Sequence, residues 1–77
     1  MTQLRDQNLL NQIARRVKTL REARGITQEQ FFFDTKIHIG RVETGRVNLS
    51  VSTLAAICQY FEIDLTDFFA LPDTGTP

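Results

Sequence analysis

Between Gly25 and Arg46 the chain sets several helix-start and helix-stop signals close together, which leaves room only for short helices. Gly25 halts whatever precedes it, because a residue free to adopt positive φ commonly ends a helix. Thr27 then reads as an N-cap, and Gln30 completes a Thr-x-x-Gln capping box, with Ile26 placed to staple onto Phe31. The spacing predicts a helix from Gln28 to about Phe33. Thr35 is the next plausible cap, opening a helix from Lys36 to about Glu43 that Gly45 terminates. Within it Ile39 and Val42 point inward, leaving Lys36, Ile37, Gly40 and Arg41 free to face out.

The flanking segments are also helical. Leu10, Ile13, Ala14, Val17 and Leu20 recur at three and four, marking one face of a helix from about Asp6 or Asn8 to Ala23. Ser50 caps a fourth helix with Leu54, Ile57, Cys58 and Phe61 on its inner face, and Asp64 caps a last one containing Leu65, Phe68 and Phe69. No segment alternates convincingly as a strand. The fold class is therefore all-α, a compact five-helix bundle occupying residues 1–71, with 72–77 expected to be a disordered tail after Pro72. Seventy-seven residues make one domain that buries only roughly 60% of its unfolded surface, so dimerisation would be a natural supplement.

Composition excludes several classes. No apolar run reaches the ~20 residues needed to span a bilayer, and the N-terminus lacks an apolar signal region, which places the expected location in the cytoplasm. A single cysteine, Cys58, rules out an internal disulfide and a multi-cysteine metal cluster. No histidine–cysteine pair, paired carboxylates or glycine-rich loop indicates catalysis or nucleotide binding; no enzyme activity and no cofactor or metal are expected.

Net charge is zero, yet unevenly spread. From Arg15 to Arg46 eight Lys/Arg face four acids, a local excess of +4, whereas from Glu62 onward there are four acids and no base. One end of the domain thus suits a polyanion. Two short helices joined by a tight turn in a basic segment suit a helix-turn-helix, whose second helix enters the DNA major groove.

The order Gly25-Ile26-Thr27-Gln28-Glu29, Ile39-Gly40-Arg41-Val42-Glu43-Thr44-Gly45, Asn48-Leu49-Ser50, then Leu54, Ile57, Phe61, Ile63 and Phe68-Phe69 resembles the phage-repressor-like (Xre-type) helix-turn-helix family across about residues 9–70. Members of that family are mostly five-helix repressors or regulators, antitoxins and controller proteins, commonly dimeric on DNA. The resemblance implies that Lys36, Ile37 and Arg41 face the bases, Arg41 and Lys36 toward guanine and Ile37 toward a thymine methyl. For Lys36 and Arg41 the alternative is two solvated charges, and for Ile37 it is core packing. The same resemblance puts Gln28 on a backbone phosphate and further phosphate contacts at Thr35, Thr44, Arg46 and Asn48. His38 either joins these or is a structural histidine. Glu43, repelled by phosphate, is expected instead to pair with an arginine and hold the recognition helix.

Three departures from the family pattern stand out. The interval from Thr27 to Glu43 is three residues short, the turn has no glycine, and Phe32 occupies the place of a small residue. Three consecutive phenylalanines cannot all face inward, so Phe32 or Phe33 should be partly exposed. It either packs in place of the missing turn or meets a partner.

Tyr60, Phe68, Phe69 and Leu71 supply apolar surface at the C-terminal end and are expected to form a two-fold dimer interface, the alternative being that they complete the monomer core. The expected function is a dimeric, sequence-specific transcriptional regulator, a repressor acting at a palindromic operator in double-stranded DNA. It would work without an effector domain, by occlusion or by touching RNA polymerase. The competing reading is an antitoxin-like interaction module for a cognate protein partner, binding DNA weakly or not at all.

Overall fold

Asp6 opens the first helix: its carboxylate accepts from the Leu9 N–H at 3.0 Å, capping α1 (Gln7–Ala23). Leu10, Ile13, Ala14 and Val17 are buried along one face, as their spacing requires. The helix closes in a Schellman motif: Ile26 N–H donates to Arg21 O at 3.1 Å and Gly25 N–H to Glu22 O at 3.0 Å, with Gly25 at φ 67°. The computed structural model describes residues 6–70; Leu71 and the expected tail at 72–77 lie outside the described residues.

Four further helices follow: α2 (Gln28–Thr35), α3 (Ile39–Val42), α4 (Val51–Tyr60) and α5 (Leu65–Ala70), with no strand among the described residues. Thr27 caps α2 by accepting from Gln30 N–H at 3.0 Å. The Gln30 side chain points along the helix, its Nε2 donating to Asp34 Oδ1 at 2.9 Å. Ser50 caps α4 and Asp64 caps α5 as expected, through the N–H groups of Thr53 (3.0 Å) and Asp67 (2.8 Å).

Phe31, with no exposed surface, sits at the centre of the core. It stacks on Phe61 at 5.6 Å between centroids and meets the Tyr60 ring edge-on at 4.6 Å. Val17, Ile39, Ile57 and Phe68 complete the same cluster, so every helix contributes to it. Full burial of one such side chain stabilises by about 1.5–3 kcal/mol.

Two expectations need correction. The third helix does not begin at Lys36. The Thr35 hydroxyl donates back to Phe31 O at 2.8 Å and accepts from Ile37 N–H at 3.0 Å, so Thr35 closes α2 rather than opening α3. Lys36 then turns left-handed at φ 65°, and His38 (φ −77°, ψ 77°) forms an inverse γ-turn in which Ile39 N–H donates to Ile37 O at 2.8 Å. Only one helical turn remains for α3. Phe68, expected at a dimer interface, is 1% exposed and belongs to the monomer core. Tyr60 and Phe69 are half-buried against that core, while Leu65 is exposed.

Candidate nucleic-acid interface

A buried ion pair sets where α3 lies. Arg21 on α1 grips Glu43, the residue after α3, with Nε donating to Oε2 at 2.7 Å and Nη2 to Oε1 at 3.0 Å. Its Nη1 donates to Ile26 O at 2.8 Å, tying the loop before α2 into the same knot. The Gln28 amide adds a bond from Nε2 to Glu43 Oε1 at 2.9 Å. Planar, bidentate guanidinium–carboxylate geometry suits a site with little water. Hydrogen bonding to Glu43 raises the Arg21 pKa above its ordinary value, outweighing the opposing effect of burial. Glu43 thus pairs with a helix-one arginine, as its charge led us to expect.

The Gln28 side chain of α2 packs closely on Gly40 of α3. A Cβ there would lie 3.0 Å from Gln28 Oε1, tighter than ordinary packing. Gln28, expected on a phosphate, is an exposed residue whose amide nitrogen is engaged by Glu43 in the free protein. Its oxygen faces the Gly40 backbone.

Arg41 is exposed on α3. Together with Lys36, Ile37 and His38 it lines one wall of an open groove of about 310 Å³, whose other wall carries Asn48, Ser50 and Thr53. Ile37 is half-buried against the core, so the turn holds it and only part of its side chain reaches the groove. Lys36 lies at the turn, its ammonium over the rings of Phe32 (5.7 Å) and Phe33 (5.2 Å). Thr35 is half-buried and spends its hydroxyl on the turn. Thr44 Oγ1 donates to Arg41 O at 2.6 Å and accepts from Arg46 N–H at 3.2 Å, which shapes the loop carrying exposed Arg46. A second hollow, about 510 Å³, is lined by Gln28, Glu29, Phe32, His38, Gly40 and Arg41.

Ser50 and Thr53 are groove residues beyond those expected from the sequence. Their hydroxyls are bonded to each other at 2.9 Å, and the Ser-x-x-Thr cap at the start of α4 was the available signal. Both exposed members of the phenylalanine triplet also differ from the expectation of one: Phe32 is 37% and Phe33 71% exposed. Among the described residues no group of His, Cys, Asp and Glu could hold a metal ion, and no helix is long and apolar enough to cross a membrane.

A family model described as helix-turn-helix matches residues 17–68, from the middle of α1 to Phe68 in α5. No curated protein and no solved structure gives a match. With the matched segment spanning more than half of the sequence and all five helices in order, the chain belongs to the Xre/lambda-repressor-like helix-turn-helix family of DNA-binding regulators.

Proposed function

We propose that the protein is a sequence-specific transcriptional regulator, a repressor that binds a palindromic operator as a dimer. The observation that carries this reading is the groove beside α3, lined by Arg41, Lys36 and His38 together with Asn48, Ser50 and Thr53, with α3 itself clamped in place by Arg21 and Glu43. Arg41 reads guanine O6 and N7 in the major groove. Lys36, displaced from the helix, is better placed for phosphate, joining Arg46, Asn48 and Thr44; Gln28 joins them once DNA competes for its amide. Thr35 and Ile37 support the turn. Leu65, Phe69 and Tyr60 supply the dimer surface, with the acidic C-terminal segment turned from DNA or toward polymerase.

Selection of bound duplexes from a random pool at near-physiological salt tests the proposal. An enriched palindrome with half-sites about 34–36 Å apart, one duplex turn, supports a dimeric reader. On that operator Arg41→Ala should cost about 1–3 kcal/mol of discrimination at one base pair while the fold persists. Affinity should fall with salt at a log–log slope of about −0.9 per phosphate contacted. The exposed Phe33 favours a second reading, a protein-interaction module. Folded protein that enriches no sequence would transfer the proposal to it.

A further inference from the structure

With α3 reduced to Ile39–Val42, direct readout has few side chains to use. Ile39 and Val42 are buried and Gly40 has no side chain, so Arg41 alone projects from the helix. His38, the residue just before the helix, lines the same groove as Arg41. His38 is exposed, and although its carbonyl accepts from Arg41 N–H at 3.0 Å, its side chain makes no capping bond to α3.

Its ring is nevertheless held. Phe32 of α2 stacks on it at 4.6 Å between centroids and 28° between planes, bridging the two helices of the motif across their turn. The γ-turn pins the His38 backbone from the other side. Stacking occupies the face of an imidazole and leaves its nitrogens, which lie on the edge, for hydrogen bonding. A small residue at position 32 could not provide this support.

Resting on the DNA-reading role proposed above, we infer that His38 is a second base-reading residue and that Phe32 is the positioning residue that aims it. His38 donates a ring N–H to the acceptor edge of a guanine, N7 or O6, next to the base pair read by Arg41. Phe32 and His38 together thus occupy the role that a longer recognition helix gives to its first turn. The large residue at 32, the short helix and the γ-turn then form one compensated arrangement.

The test uses the duplex selected by the wild-type protein and its set of single base-pair variants. His38→Ala should lose about tenfold discrimination at one base pair adjacent to that of Arg41. Phe32→Leu should lose discrimination at the same base pair, Phe32→Tyr should keep it, and Phe32→Leu should add nothing once His38 is alanine. Leucine keeps apolar bulk without a stacking face, so a folded variant is secured for comparison. A uniform loss across all duplexes with a shallower salt slope would make His38 a phosphate contact and overturn the inference. Additive effects of Phe32→Leu and His38→Ala would overturn the positioning role. A selected operator indifferent to His38 defeats this inference alone, whereas failure to select any operator defeats the proposed function with it.

Discussion

Lys36 is the place where the observed turn and the helix expected from sequence make opposite stability predictions. A residue with a Cβ at φ 65° bears about 1–2 kcal/mol that glycine does not. Glycine in turn costs about 0.5–1 kcal/mol more to order. Lys36→Gly should therefore be more stable than Lys36→Ala by about 0.75 kcal/mol, the middle of a range of about 0–1.5 kcal/mol. Both lose the ammonium–ring contacts with Phe32 and Phe33, worth about 0.5–1 kcal/mol at an exposed site, so that loss cancels between them. Were Lys36 instead the opening residue of a helix running to Glu43, glycine would be the less stable of the two by up to about 1 kcal/mol. The two arrangements thus differ in sign. For a chain of this length about 1 kcal/mol moves the melting temperature by roughly 4–8 °C, well within resolution. Urea unfolding followed by circular dichroism measures the difference, with an unchanged slope showing that only stability has moved. Glu62 closes α4 at φ 57° and provides an internal comparison: Glu62→Gly should likewise exceed Glu62→Ala. A Lys36→Gly protein less stable than Lys36→Ala, with Glu62 behaving as stated, would refute the left-handed turn.

Two other perturbations follow from the same geometry. Replacing Arg21 by Met strands a carboxylate that is 6% exposed, and should cost about 3–5 kcal/mol in denaturant unfolding. The double replacement Arg21→Met/Glu43→Met should recover a large part of that loss, and a single variant within about 1 kcal/mol of wild type would contradict the clamp. Tyr60 donates its hydroxyl to Asp34 Oδ2 at 2.6 Å, and this bond, more than burial, raises its pKa above the ordinary tyrosine value. A raised phenol pKa means that the stabilisation is complete below the unfolded value and is lost as pH rises through the folded one. Because the chain has one tyrosine and no tryptophan, tyrosinate absorbance reports this residue directly. Asp34→Asn should lower the midpoint, and an unchanged midpoint would show that the bond does not form in solution.

Those parts of the fold set by local chemistry were legible in the residues. Leu10, Ile13, Ala14 and Val17 could share a face only on a helix, and Gly25 could stop it at no steric cost. Thr27, Ser50 and Asp64 each had a hydroxyl or carboxylate where a free N–H needed an acceptor. Even the long-range Arg21–Glu43 pair was half visible, since a carboxylate beside a helix expected to face phosphate needs a cation elsewhere. Phe68 was harder to place. An apolar residue near a chain end has the same composition signal whether it faces a partner or its own core, and here it faces the core.

The turn was illegible for a more specific reason. Thr35 has the same residue type whether its hydroxyl caps the following helix or bonds back to Phe31 O, and only the second arrangement occurs. The first would require Lys36 to be helical, which would carry Ile37 and His38 onto new faces. Ile37 is instead packed against the core, and Phe32 stacks on His38 across the left-handed turn at Lys36 between them. The missing glycine, the shortened interval and the oversized residue at 32 are separate anomalies when compared with the family pattern one by one. In three dimensions they are one solution: a lysine accepts the strained conformation, its ammonium covers two exposed rings, and one of those rings supports the histidine that precedes a single-turn recognition helix. A site built this way depends on the α2–α3 turn more than on helix propensity, so substitutions at Phe32, Lys36 and His38 should alter DNA discrimination more than substitutions on the outer face of α1.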